Sequence, residues 1–408
     1  MKPLRAVGSG IFCFLLFWAI IFNFVSCLCF SLPQKCGCIS METSEGLALL
    51  SLQFWMRFAV RPCFWVRSLN ITPEAWQPFL EELKASDEEV KNGKERRPLY
   101  LMSNHVSFLD ALIIAMNLPW PVLWRCRCYM AAHLLEFPLF GTTCRLAGHF
   151  PVHFLKNEAG KFSVDKERMR AVEERVSAHF KSGGIVALFP EGNLNRGDPS
   201  VLQTFRHGTF KRALKEDASI WFFCMAGHAD VWPPQQALAL WPGRTGFGLF
   251  RVFELGQGAV EAVAQAKVDA VARGGGPSSE AAASTDDGVF LAEHCRIVMA
   301  QKLAKLETST KQKRGVGGGC CYVGCGDART SSELISDDLS PTTNDDDNRK
   351  VDSIVGDSSG SMKSDLKAGT CASLPGNKIS MGSRVVPSVS NATTNPKQAP
   401  AGTLGSTF

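Results

Sequence analysis

Beyond Tyr322 the chain has no aromatic side chain until its last residue, Phe408, and all 9 tryptophans lie before residue 242. A segment so poor in large apolar groups cannot bury enough surface to order itself, so the back of the chain is excluded as a second core. Net charge is also scarce: 44 basic against 39 acidic residues leave +5 over 408 residues. An excess so small and dispersed excludes a dedicated nucleic-acid binder. The 15 cysteines contain no pair of C-x-x-C knuckles. This argues against a structural zinc site, and a disulfide scaffold would be shorter and denser. Mostly free thiols on a reducing side of a membrane are expected. No G-x-S-x-G motif occurs, which removes the usual serine-hydrolase elbow. No internal repeat is evident.

What the chain does have is apolar surface at the front. Residues 11–30 read IFCFLLFWAIIFNFVSCLCF, with no charge. That is about the length a helix needs to span a bilayer. The run exceeds a usual signal-peptide core and lacks a clear small-x-small cleavage site, so an uncleaved membrane helix is expected. Flanking charges do not fix its orientation: Lys2 and Arg5 precede it, while Lys35, Arg57, Arg61 and Arg67 follow. A second apolar stretch, 46–67, is broken by Arg57 and Arg61. It suits either a helix lying in the headgroup layer or a buried helix of the domain behind it.

Four regions are expected: a transmembrane anchor over 1–45, an interfacial helix and charged link over 46–97, a compact domain over 98–307, and a disordered low-complexity tail over 308–408. The charged link is EELKASDEEVKNGKERR at 81–97, and the tail includes GGGCCYVGCG at 317–326. Within the domain, strands are expected at 99–103, 122–130, 149–155, 185–189, 219–225 and 247–253. Helices are expected at 109–117, at 163–181 and, after a Gly/Ser/Ala-rich link over 273–288, at 289–307. Met169, Val172, Val176 and Phe180 recur at helical spacing, and Gly183-Gly184 ends that helix. The fold class is therefore α/β: a layered, mostly mixed sheet flanked by helices, with an N-terminal membrane helix and a disordered C-terminal tail.

The sharpest chemical feature is Asn104-His105-Val106-Ser107-Phe108-Leu109-Asp110, between an expected strand and an expected helix. At such a turn Asp110 can hold one nitrogen of His105, fix its tautomer and stabilise the imidazolium, leaving the other nitrogen to accept a proton. An incoming alcohol can then be the nucleophile itself. His105 lacks a second histidine at helical spacing, so no metal is expected. The second feature, Phe189-Pro190-Glu191-Gly192-Asn193, follows the strand run IVALF. It lies at a strand's carboxyl end, where α/β active sites gather. Glu191 supplies a fixed carboxylate and Gly192 permits close backbone approach to a ligand. The plainer alternative is a turn shaped by Pro190 and Gly192.

These two blocks resemble the Asn-His-x-x-x-x-Asp and Phe-Pro-Glu-Gly blocks of the glycerolipid acyltransferases, the 1-acylglycerol-3-phosphate acyltransferase type. FPLFGTTCRLAGHFPVHF at 137–154 is similar to that family's middle block, and Phe205-Arg206-His207-Gly208 to the segment after Phe-Pro-Glu-Gly. The resemblance covers roughly 98–255. It departs at His153, where the family has Arg, and at Asn193-Leu194-Asn195, where it has Thr-Arg-Ser. Those family arginines hold the acceptor's phosphate. Arg196, Arg206 and Lys211 are the substitute candidates, since guanidinium suits bidentate phosphate contact.

The resemblance implies an acyl-CoA-dependent O-acyltransferase with no cofactor beyond acyl-CoA as co-substrate. His105 is expected as general base and Asp110 as its partner. Asn104, Glu191 and Gly192 are expected at the substrate, and backbone N–H groups of 104–109 at the oxyanion. The expected acceptor is a lysophospholipid, most simply 1-acylglycerol-3-phosphate giving phosphatidic acid. The expected setting is the lipid bilayer of the endoplasmic reticulum, with the domain facing the cytosol. Two alternatives stay open. One is another acceptor, such as glycerol-3-phosphate or a lysophospholipid with a larger headgroup. The other is a catalytically silent, membrane-tethered lipid-binding module.

Overall fold

The computed structural model describes residues 2–156, 162–254, 256–273 and 286–312. The chain opens with two long helices, α1 (Lys2–Lys35) and α2 (Met41–Val60), then strand β1 (Val66–Asn70) and helix α3 (Trp76–Lys91). Strand β2 (Leu99–Met102), helices α4 (Leu109–Asn117) and α5 (Trp120–Arg125), strand β3 (Cys126–Ala131) and helix α6 (Phe140–Leu146) follow. Three short strands come next, β4 (Phe150–Val152), β5 (Phe154–Lys156) and β6 (Phe162–Val164), then α7 (Lys166–Lys181) and β7 (Ile185–Leu188). The remainder is α8 (His207–Lys215), β8 (Ser219–Ala226), α9 (His228–Val231), β9 (Gly243–Arg251), α10 (Ala259–Arg273) and α11 (Asp287–Gln312).

Seven strands form one mixed sheet in the order β1-β9-β8-β2-β7-β3-β4. The central strands are parallel, and β9 enters antiparallel to β8. The apolar strand runs lack alternation because both faces are covered. Leu99, Leu101, Ile185, Ala187, Trp221 and Phe223 point to one side, with buried residues of α1 to α5. Their neighbours Tyr100, Met102, Val186, Leu188, Ile220 and Phe222 point to the other, with α7, α8, α10 and α11. Each large apolar side chain so buried contributes about 1.5–3 kcal/mol. The outcome is a three-layered α/β domain with a mixed central sheet, as the sequence led us to expect.

Several local expectations are corrected. The strand expected over 122–130 begins only at Cys126, because Pro119 and Pro121 start helix α5. The segment 149–155 divides into β4, on the main sheet, and β5, which pairs antiparallel with β6 in a separate ribbon. Asp165 caps the following helix through the backbone N–H groups of Glu167 and Arg168, so α7 starts at Lys166 rather than 163. The charged link expected over 81–97 is helical to Lys91, as the end of α3, and that helix packs Phe79 and Leu83 into the core. Its acids are used in tertiary contacts: Glu82 accepts from Trp221 Nε1 at 3.1 Å, and Asp87 holds Arg125 through two hydrogen bonds of 2.9 and 2.8 Å. Helix α10 and strand β1 lay outside the expected elements. The last helix runs five residues into the expected tail, to Gln312. The rest of the tail, with its 317–326 tract, lies outside the described residues.

Helix α1 is long and apolar enough to cross a membrane. One stripe of it is buried: Gly8, Phe12, Leu16, Ala19, Asn23, Cys27 and Ser31. That three-to-four spacing marks a single helical face along nearly its whole length. Its opposite face is also apolar, with Phe14 63% and Phe17 57% exposed. Helix α2, the second apolar stretch, buries Ala48, Leu49 and Met56 while leaving Phe54 62% exposed. It also closes α4: Gln53 Nε2 donates to the carbonyls of Ala115 and Leu118, and Arg57 Nε to that of Met116. These donors satisfy carbonyls orphaned at the helix end, where positive charge is favoured.

Candidate active site

Strand β2 delivers the Asn-His block to the carboxyl edge of the parallel strands. Ser103 N–H extends the pairing by donating to Leu188 O at 3.1 Å. Asn104 is buried, and its side-chain amide imitates a strand partner. It donates to Met225 O at 2.9 Å and accepts from Met225 N–H at 2.8 Å. Both ends of that amide are thus engaged in joining β2 to β8. Beyond this tie the backbone leaves the sheet and turns into α4.

Asp110, in the first turn of α4, is the hub of the turn. Its Oδ2 accepts from Val106 N–H at 2.7 Å and Ser107 N–H at 2.8 Å, and lies 3.1 Å from His105 Nδ1. Its Oδ1 lies 2.7 Å from Nδ1 of a second histidine, His228. Asp110 is fully buried, whereas the His105 side chain keeps 19% of its surface open. Burial alone would push the Asp110 carboxyl up. Hydrogen bonds and charge from His105 and His228 outweigh it and hold the group below the usual carboxylate range. An ionised carboxylate only accepts, so His105 presents Nδ1–H to it, and Nε2 carries the lone pair a general base needs. The ring is also stacked on Phe189, with centroids 3.9 Å apart and planes 12° from parallel.

The Phe-Pro-Glu-Gly loop after β7 holds the same histidine by its backbone. Glu191 is buried; one carboxylate oxygen accepts from His105 N–H at 3.0 Å and the other from Gln203 N–H at 3.0 Å. Burial raises the Glu191 carboxyl against those two hydrogen bonds. Asn195 N–H donates to His105 O at 2.7 Å. Gly192 sits at φ +72°, and a Cβ there would stand 3.0 Å from Arg206 Cγ, so glycine lets Arg206 lie over the loop. Arg206 is exposed at the start of α8, and Arg196 is exposed in the loop.

The structure thus brings Asn104, His105, Asp110, Glu191, Gly192 and Arg206 to one rim. Lys211 is elsewhere: it faces α11 and pairs with Asp286 at 2.5 Å. The oxyanion donors expected from 104–109 are largely committed. The N–H groups of 105, 106, 107 and 109 all donate to side chains of the turn or of Glu191. His228 was missed. It stands alone after an apolar strand, and no spacing rule links it to Asp110. A groove of about 490 Å³ on the outside of α2, between Leu50 and Pro62, is lined by none of the site residues.

The segment after β8 braces the turn from behind. Ser107 Oγ donates to Trp232 O at 2.7 Å, and the Trp232 ring lies 5.8 Å from Phe108. Phe12 of α1 meets the same indole edge-on at 5.5 Å. One aromatic chain therefore connects the apolar N-terminal helix to the histidine turn.

Residues 84–226 match a protein-family model described as Acyltransferase. No curated protein matches the chain. Among solved structures, the 1-acyl-sn-glycerophosphate (LPA) acyltransferase PlsC from Thermotoga maritima is similar. The identity is 13% and the TM-score 0.46, over 78% of this chain and 99% of that one.

Proposed function

We propose that this chain, whose residues 84–226 match the acyltransferase family model, is an acyltransferase that moves a fatty acyl group from acyl-CoA to the free hydroxyl of a lysophospholipid at a membrane surface. One observation carries this reading: an open imidazole, 3.1 Å from a buried carboxylate, at the carboxyl edge of parallel strands. His105 Nε2 takes the hydroxyl proton as the alcohol oxygen attacks the thioester carbonyl. The tetrahedral centre then collapses, the C–S bond breaks, and the proton on His105 passes to the departing CoA sulfur. Asp110 holds the tautomer and offsets the charge of the imidazolium. Glu191 and Asn104 keep the turn in place through backbone groups.

Arg206 over Gly192, with Arg196 nearby in sequence, supports a phosphate-bearing acceptor, most simply 1-acylglycerol-3-phosphate; Lys211 leaves that set. The apolar outer face of α1 and Phe54 of α2 support a protein seated in lipid. The length and apolar character of α1 support the anchor expected over 1–45. CoA is polar and cytosolic, so the site faces the cytosol, with the endoplasmic reticulum as the proposed membrane. Protease digestion of a tagged domain in intact microsomes tests this, and digestion only after detergent contradicts it.

The deciding assay offers acyl-CoA and a panel of lyso-acceptors to the full-length membrane-bound protein. General-base assistance is worth about 10²–10⁴-fold. His105→Ala is expected to lose turnover on that scale and to stay on the membrane, with Asp110→Asn impaired beside it. Near-normal acyl transfer by His105→Ala refutes the role.

A further inference from the structure

Asp110 lies between two imidazoles, and the reading above uses only one of them. His228 is fully buried, and among the described residues its side chain makes one hydrogen bond, Nδ1 to Asp110 Oδ1 at 2.7 Å. Among the described residues its Nε2 is buried without a hydrogen-bond partner. A buried polar atom left unsatisfied weakens the fold, and an apolar side chain of similar size would avoid that cost. Packing alone therefore does not explain a histidine here. The backbone is shaped to place it. Gly227 takes φ +75°, where a Cβ would come within 2.6 Å of Arg244 O, and this turn aims the next side chain back under α4. Trp232 N–H closes the short helix on His228 O at 2.8 Å. The family match ends at residue 226, so nothing in it assigns His228.

We infer that His228 is a positioning residue for the reaction: its Nδ1–H fixes the rotation of the Asp110 carboxylate, so that Oδ2 faces His105 Nδ1. The two oxygens divide the work. Oδ2 takes the His105 imidazole and the two N–H groups of its turn, while Oδ1 takes His228 alone. Without a donor on Oδ1, the backbone bonds still hold Oδ2 but the carboxylate plane is free to turn about that oxygen. The imidazole then loses its directional acceptor, and with it the fixed tautomer that leaves Nε2 unprotonated. His228 acts through Asp110 and touches no substrate. The inference rests on the reading of His105 and Asp110 as base and partner.

The test compares two substitutions in the full-length protein in lipid nanodiscs. Asn places its Nδ2 where His carries Nδ1, so His228→Asn keeps the donor while losing volume. His228→Met fills the volume without a donor. Losing an orienting partner at an analogous outer position costs about 10–100-fold. His228→Met should lower kcat on that scale with the KM for acceptor unchanged, and His228→Asn should restore most of the lost kcat. In an Asp110→Asn background, His228→Met should add little, because the two residues act as one unit. Wild-type kcat in His228→Met overturns the inference. So does His228→Asn falling as low as His228→Met, or an effect that multiplies fully with Asp110→Asn. A readout independent of turnover separates this from failure of the acyltransferase reading. In ¹⁵N-histidine spectra, with His105 assigned by its absence in His105→Gln, the Nδ1–H tautomer of His105 should persist in wild type and His228→Asn and become mixed in His228→Met. An unchanged tautomer in His228→Met overturns the inference even if the protein proves inactive on every acceptor.

Discussion

The two helical layers that sandwich the sheet are alike inside and opposite outside. On one side, α7 buries Met169, Val172, Val176 and Phe180 and turns Lys166, Glu167, Arg168, Arg170, Glu174 and Arg175 outward. On the other, α1 buries a stripe of the same period and turns Phe14, Phe17, Val25 and Leu32 outward. The same inner period gives each helix one buried face, α7 against the sheet and α1 against α2 and α6; what differs is the chemistry of the outer face. An apolar outer face on an otherwise ordinary α/β domain is costly in water and favourable against hydrocarbon. The histidine turn leads into α4, on the α1 side of the sheet, and is linked to α1 through Trp232.

The largest effect that would break this contrast comes from making the two outer faces alike. Phe14→Glu, Phe17→Glu and Phe54→Glu together should release the protein from liposomes. Each phenylalanine withdrawn from lipid forfeits about 1.5–3 kcal/mol, so partitioning should fall by more than about 10³-fold. The fold should survive, since none of the three is buried. The same number of charge reversals on α7, at Arg168, Arg170 and Glu174, should leave binding to neutral liposomes unchanged. Equal losses from both sets, read by flotation, would dissolve the contrast.

How much of this was legible beforehand follows from what each residue answers to. Strand β2, the turn and α4 were readable because an apolar run, a polar break and a second apolar run are local features. The same holds for β7 and the Phe-Pro-Glu-Gly loop. The inner stripe of α7 was readable from its period; that of α1 was hidden because both of its faces are apolar. The part of α3 from residue 81 onward was read as a charged link because of its dense charge. In the fold, Glu82 reaches Trp221 and Asp87 reaches Arg125. Asn104 and Glu191 were expected at the substrate; in the fold they lie beside His105, and their partners are backbone groups at Met225, His105 and Gln203. Such partners are set by strand order, which short-range pattern does not encode. His228 was invisible for the same reason, since β8 becomes the neighbour of β2 only through the sheet topology. The basic residues were the weakest part of the reading. Charge and proximity in sequence put Arg206 and Lys211 together, whereas helix α8 sends them to different neighbours.

A smaller effect sharpens the contrast by asking where acid acts. Two histidines, His149 buried and His179 half-buried, lie near the β3–β4 edge, away from the exposed apolar faces of α1 and α2. Burial, with the charge of Arg127 nearby, holds His149 down at about 3, and burial holds His179 at about 4. The geometry gives the reason for His149: its Nδ1 accepts from Cys128 N–H at 3.1 Å, and a protonated ring has no lone pair to offer. In the unfolded chain both groups return to about 6.5. Between the folded and unfolded values the unfolded state binds more protons, so stability is intact above about pH 6.5 and declines as pH falls. Each site steepens that decline by about 1.4 kcal/mol per pH unit once the unfolded histidine is mostly charged. His149→Asn can keep an acceptor near Cys128 N–H and removes the proton site. It should lower the melting temperature at pH 7.5 through lost volume, yet flatten its fall between pH 6.5 and 5. The Phe14, Phe17 and Phe54 variant should instead keep the wild-type slope, because the carboxylates it adds are exposed on α1 and α2 and bring no proton-binding difference on folding. A slope unchanged in His149→Asn would mean that the ring is already charged in the fold, and that the acceptor role at Cys128 is wrong.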